Sequence, residues 1–298
     1  MSDLPDWGPA PQRVEVGADQ VRRLVAAQFP QWAGLPVTPV ARGGWDNRTF
    51  HLGDGMSVRL PSAAQYARAV EKEHRWLPVF AERLPQPIPV PLAQGVPGEG
   101  YPFAWSVYGW LAGETASVER IADPVRFAGD LAEFVAAIRG FDPSGGPGPG
   151  LHNWFRGATL RAFDGFAQDG LTALDGRIDT DLAARVWADC LAAPWDGRVT
   201  WFHGDLAPGN LLLRDGELGA VIDFGTCGVG DPSCDLAVAW TLLTADGREV
   251  FRKRLGVDDA EWTRGRGWAL WKTLQICASD GSGPGAWRAL SSILDDYR

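Results

Sequence analysis

The chain has 298 residues, 45% of them apolar and 22% charged; this balance excludes disordered and collagen-like architectures and supplies a core large enough for two lobes. Its formal net charge of -9 repels nucleic acid and anionic membranes and attracts cationic ligands and metal ions. The acidic surplus falls in residues 111–243, with 19 Asp and Glu against 9 Lys and Arg, and lysine occurs only at Lys72, Lys253 and Lys272.

The opening segment MSDLPDWGPAPQ is acidic and proline-rich, without the basic and apolar regions of a secretory signal. The longest uncharged apolar stretch, residues 236–245, is well short of the roughly 20 residues needed to span a bilayer. Both readings predict a cytoplasmic protein. The segment ADQVRRLVAAQF then has helical spacing, with Val21, Leu24, Val25 and Phe29 on one face and Asp19 as its candidate N-cap. TPVARGGWDNRTFHLGDGMSVRL reads as strands of a small antiparallel sheet, broken by turns at GGWDN and GDG.

Helical spacing returns over residues 63–83, where Tyr66, Ala69, Val70, Leu77 and Phe80 form an apolar stripe. Pro78 is expected to end or kink it. Glu73 falls on the stripe, whereas Glu71 shares a face with Ala67, Arg68 and Arg75. A carboxylate on a buried stripe requires a cation. In the strand MSVRLP, Val58 and Leu60 face one side and Arg59 the other, so Arg59 is the expected partner of Glu73, with a neighbouring surface arginine as the alternative. LPQPIPVPLAQG is extended by its prolines, and YPFAWSVYGWL alternates as a strand. A first lobe over residues 1–110 and a second over 111–298 follow.

In the second lobe, helices are predicted at 123–141, 153–168 and 179–193, with the loop DPSGGPGPG between the first two. Short strands return over 198–222, and 232–298 is mostly helical. Cys190, Cys227, Cys234 and Cys277 contain no CxxC pair and the histidines are scattered, which predicts packed, reduced thiols and neither a disulfide framework nor a zinc site.

The densest chemistry lies in TWFHGDLAPGNLLL. An apolar strand leads to His203, the chain turns through Pro208 and Gly209, and LLL leaves again, so Asp205 and Asn210 stand at the two ends of one loop. A second apolar strand, ELGAVIDFG, ends in Asp223. An aspartate at the end of an apolar strand is costly unless it meets a cation or donors. Asp223 and Asn210 offer the hard oxygen ligands that Mg2+ prefers, and Asp205 is the natural acceptor of a substrate hydroxyl proton.

HGDLAPGN, followed by VIDFG and GVGDPSCDLA, resembles the aminoglycoside O-phosphotransferase family, relatives of the protein kinases. The likeness is strong over about 35 residues, and the order of lobes extends it over nearly the whole chain. It implies an α+β, bilobal protein-kinase-like fold: a small antiparallel-sheet N-lobe that binds nucleotide and a larger, mainly helical C-lobe that carries catalysis and the acceptor. Asp205 would be the catalytic aspartate, Asn210 and Asp223 would hold Mg2+ on the phosphates of ATP (or GTP), and His203 and Asp235 would brace the loop. Family members often carry a second histidine where this chain has Ala207.

The resemblance further implies a strand cation for the phosphates, normally lysine. Here it is Arg59, paired with Glu73. Gly43, Gly44, Asp46 and Asn47 of the GGWDN turn would cover the phosphates, the glycines letting backbone N–H groups approach them. Ser106 to Trp110, including Tyr108, would be the connecting strand whose backbone meets the adenine. Trp268, Trp271 and Asp280 lie where the family shapes its acceptor pocket. The implied activity is transfer of the terminal phosphoryl group of ATP to a hydroxyl of a cationic acceptor, an aminoglycoside or related antibiotic conferring resistance. Alternatives are kinases of choline, sugars, macrolides or peptide antibiotics, and a non-catalytic nucleotide-binding pseudokinase. A protein kinase fits less well, because few residues separate DFG from the helix near Pro232.

Overall fold

The structure, a computed structural model, describes residues 5–41, 43–279 and 283–298. Their contacts divide them into two compact units, Trp7–Ala112 and Gly113–Arg298, the latter together with residues 5 and 6.

In the first unit, helix α1 (Ala18–Gln28) buries Val21, Leu24 and Val25. Its N-cap is Gly17, not Asp19; the aspartate lies in the first turn and pairs with Arg22 one turn on. Strands β1 (Val37–Pro39), β2 (Asn47–Leu52) and β3 (Met56–Pro61) form successive antiparallel pairs. Helix α2 (Ala64–Ala81) follows, then β4 (Pro91–Gly95) and β5 (Trp105–Gly109). Among the described residues the five strands form one sheet in the order β1-β2-β3-β5-β4. Pro78 does not end α2. Leu77 and Phe80 on its two sides are both buried, and burying them outweighs one lost helical hydrogen bond.

The core of this unit joins α1 to one face of the sheet through Val21, Leu24, Phe50, Leu52, Val58, Leu60, Trp105 and Val107. Gly95 is required where Trp105 crosses it, since a Cβ there would come within 2.0 Å of the indole. The opposite face receives α2, and on that side Arg59 and Glu73 meet.

In the second unit, β6 (Glu114–Thr115) leads to helix α3 (Pro124–Arg139). Asp123 caps α3, its carboxylate accepting the N–H groups of Val125 and Arg126. The helix expected over 153–168 is not continuous. Short 3-10 turns occupy Leu151–Asn153 and Leu160–Phe163, and helix α4 begins only at Asp164, running to Ala173. The interruption falls at Trp154 and Phe155, whose φ values of 53° and 54° are left-handed. Arg156 is thereby turned toward the loop at residue 204, a tertiary contact that local helical spacing does not reveal. Helix α5 (Thr180–Ala192) is capped by Asp179.

Strands β7 (Thr200–Phe202), β8 (Leu211–Arg214), β9 (Glu217–Val221) and β10 (Gly228–Gly230) follow. β6, β8 and β9 form one antiparallel sheet, and β7 pairs with β10. The chain finishes with α6 (Val238–Thr241), α7 (Ala245–Leu255), α8 (Asp259–Ala278) and α9 (Pro284–Asp295). The four cysteines are buried, free thiols. Among the described residues no helix is long and apolar enough to cross a membrane.

Candidate active site

The loop between β7 and β8 is built on a buried frame. His203 is fully buried; its Nδ1 accepts the Asp205 N–H at 3.2 Å, which leaves Nε2 to donate to the Ile222 carbonyl at 3.0 Å. Burial pushes its pKa down, so the imidazole stays neutral in the tautomer those bonds demand. Asp235, also fully buried, accepts the N–H groups of His203 at 2.8 Å and Gly204 at 2.7 Å. Burial pushes its pKa up. Gly204 has φ +85°, and a Cβ there would approach the Thr226 carbonyl oxygen to 2.7 Å, so glycine is needed on both counts. Phe224 packs on the His203 ring with centroids 4.5 Å apart.

This frame presents Asp205 with its side chain 32% exposed. Its Oδ2 accepts from Asn210 Nδ2 at 3.0 Å, and the same nitrogen donates to the Asp205 carbonyl at 2.9 Å. Its Oδ1 accepts from Lys272 of α8. Burial pushes the Asp205 pKa up, but Lys272 and then Arg156 outweigh it and hold the carboxyl at about 2. The Ile222 N–H donates to the Asn210 carbonyl at 2.9 Å, which brings the start of β8 beside the chain just past β9. There Asp223, half-buried, has a left-handed φ of 66°.

The donor set fits Mg2+. Asn210 has its amide nitrogen committed to Asp205, which turns Oδ1 to other partners, and Asp223 adds carboxylate oxygens from the neighbouring chain segment. Among the described residues no three His, Cys, Asp or Glu side chains cluster to enclose a metal.

In the first unit, Arg59 Nη1 lies 3.8 Å from Glu73 Oε2. The Tyr108 hydroxyl donates to the same carboxylate oxygen, and the guanidinium stands 5.7 Å from the Tyr108 ring centroid. Ser106 Oγ is 3.0 Å from His74 Nε2 on the same helix. β5 is an interior strand, with Ser106 and Tyr108 paired to β3 on one side and to β4 on the other. Strand pairing therefore engages the backbone of both residues, and Trp110, the last residue of the segment expected to meet the adenine, lies just past the end of β5. Gly43, Gly44 and Asp46 lie in the connection between β1 and β2, and Asn47 begins β2. The Asp46 carbonyl accepts the Ser62 N–H at 2.8 Å, tying that connection to the end of β3.

Trp268 is only 1% exposed and packs with Trp271 and Phe163, so it is a core residue of the second unit. Neither the Trp268 nor the Trp271 indole N–H finds an acceptor among the described residues. Asp280 lies outside the described residues.

Two residues at the site were not singled out by sequence reading. Arg156 donates from Nε to the Gly204 carbonyl at 3.1 Å and lies 4.9 Å over the Trp271 ring. Lys272 reaches Asp205. The signal available for Lys272 was its rarity and its spacing, since positions 268, 271 and 272 share one helical face.

The family model of the phosphotransferase enzyme family (APH) matches residues 37–268. The chain belongs to that family. No curated protein matches it closely. Solved phosphotransferases share the fold at low identity. The GDP complex of aminoglycoside 2'-phosphotransferase-IIIa aligns with a TM-score of 0.72 at 17% identity, covering 95% of this chain and 100% of that one. The streptomycin-ATP ternary complex of APH(2")-IIa gives 0.59 at 16%, covering 95% and 97%. The apoenzyme of macrolide 2'-phosphotransferase MphH from Brachybacterium faecium gives 0.60 at 19%, covering 93% and 97%. This phosphotransferase therefore has the α+β, kinase-like fold of antibiotic phosphotransferases.

Proposed function

We propose that this phosphotransferase moves the terminal phosphoryl group of ATP to a hydroxyl of a small-molecule acceptor, an aminoglycoside or related antibiotic, in the cytoplasm. The observation that supports this best is the convergence of Asp205, Asn210 and Asp223 on adjoining chain segments, with Asp205 partly open to solvent. Asp205 takes the hydrogen bond, and then the proton, of the acceptor hydroxyl. Its low pKa keeps it ionised to do so. Asn210 and Asp223 hold Mg2+, which supplies neutralisation of phosphate charge when bound.

His203 and Asp235 keep the loop in place from behind. Arg59, steadied by Glu73 and Tyr108, binds phosphate oxygens from the first unit; the guanidinium is always charged and can do so through two parallel hydrogen bonds. The connection carrying Gly43 and Gly44, with Asp46 and Asn47 at its end, offers backbone N–H groups to the phosphates.

The acceptor class is supported by fold neighbours that act on antibiotics, one of them seen with streptomycin and ATP. The acidic surplus adds less to the argument than composition alone suggests. Asp123, Asp179 and Asp231 cap helical segments, Asp235 accepts the backbone of the buried loop, and Glu133 and Glu217 pair with Arg254 and Arg126. The deciding experiment is a panel of aminoglycosides, macrolides and metabolites incubated with Mg-ATP, with the added phosphate detected by mass. Asp205→Ala is expected to lower transfer by about 10²–10⁴-fold while nucleotide binding persists. Transfer that survives this substitution removes Asp205 from the base role, and nucleotide binding without transfer to any acceptor turns the reading to a non-catalytic module.

A further inference from the structure

We infer that Lys272 is a positioning residue of the transfer reaction, holding the Asp205 carboxylate in the one orientation in which it can meet the acceptor hydroxyl. The inference rests on the proposed role of Asp205. The loop HGDLAPGN contains neither lysine nor arginine, so a cation for its carboxylate has to come from elsewhere. It comes from α8, 67 positions along the chain.

The geometry divides the carboxylate between two donors. Lys272 Nζ engages Oδ1, and Asn210 Nδ2 engages Oδ2. A carboxylate held at both oxygens cannot rotate about its terminal torsion, yet each oxygen keeps a lone pair for a further donor. The helix that delivers Lys272 is itself fixed to the same loop. Trp271, its neighbour in sequence, lies under the guanidinium of Arg156, which donates to the Gly204 carbonyl. Thr273 and Leu274 on its other side are buried.

A second ion pair in the same unit shows what a purely structural bridge looks like here. Arg264 and Asp231 have side-chain exposures of 9% and 2%, against 21% and 32% for Lys272 and Asp205. The Lys272 pair is partly exposed, and such a pair adds less to stability than a buried one. Its value lies in orientation, where a displacement of about 1 Å costs on the order of 10²-fold in rate.

The test compares wild type, Lys272→Met and Lys272→Arg, titrating nucleotide and acceptor separately and following ATP hydrolysis to water in parallel. Lys272→Met is expected to lose about 10²-fold in kcat with the KM for nucleotide and the thermal midpoint unchanged, and Lys272→Arg to recover most of that loss. Wild-type kcat in Lys272→Met, a loss confined to KM, or a loss that arginine does not repair overturns the inference. An activity-independent arm treats the intact wild-type protein with a carbodiimide, which takes up the water lost as a carboxylate and an amine join in an amide. The peptide joined at Asp205 and Lys272 is expected by mass, and its absence overturns the inference even if the methionine variant fails to fold. A wild-type protein that forms this cross-link but neither transfers nor hydrolyses phosphate defeats the proposed function instead.

Discussion

Glu73 in the first unit and Asp205 in the second are bonded alike and placed differently. Each carboxylate meets one cation and one neutral donor: Arg59 and the Tyr108 hydroxyl for Glu73, Lys272 and the Asn210 amide for Asp205. Glu73 is 4% exposed, enclosed between helix and sheet with no access for a substrate. The Asp205 side chain is 32% exposed. The same pattern of partners is therefore closed off from solvent in the first unit and left partly open in the second. Burial, not bonding, separates the roles.

The comparison is sharpened first by removing each carboxylate and measuring stability. Glu73→Ala takes a buried acceptor from Tyr108 and a partner from Arg59, and is expected to cost about 3–5 kcal/mol in denaturant unfolding. Asp205→Ala, large in its effect on transfer, is expected to change stability by no more than about 1 kcal/mol, the range of a partly exposed pair. Equal losses in the two variants would break the distinction.

Asp235 gives an intermediate case, since it is buried like Glu73 yet serves the loop of Asp205. Asp235→Ala leaves the N–H groups of His203 and Gly204 without their acceptor, at a cost of about 1–3 kcal/mol each. It is expected to lower both stability and kcat, whereas a variant that loses stability alone would detach Asp235 from the loop's function.

The smallest effect is in pH. The folded pKa of Asp205 is about 2, below the roughly 3.9 of an unfolded aspartate. Its contribution is therefore present above the unfolded value and disappears as pH falls through the folded one. Acid unfolding of wild type and Asp205→Ala is expected to differ slightly at pH 5 and to converge near pH 2.

Much of the fold was legible because it follows from local pattern. Apolar periodicity gave α1 and α2, and the alternation around Arg59 and the stripe holding Glu73 put both members of that pair on faces that could meet. The helices starting near Asp123 and Asp179 were readable in the same way. Misreadings arose where a distant contact overrides local preference. Trp154 and Phe155 take left-handed conformations inside an apparently helical segment, and the next residue, Arg156, bonds the Gly204 carbonyl 48 positions away. Trp268 turned out to be core, because aromatic packing with Phe163 and Trp271 buries it.

By itself the sequence pointed to the family and the α+β fold, and it singled out Asp205, Asn210 and Asp223 as candidates, since these depend on short-range spacing along strands and one turn. Only the tertiary structure decided what holds them. The partner of Asp205 is 67 residues away, and Arg156 reaches the loop across 48. Spacing along a chain carries no information about contacts closed by the packing of α8 against the rest of its unit, so the cations that govern the charge and orientation of Asp205 became visible only in three dimensions.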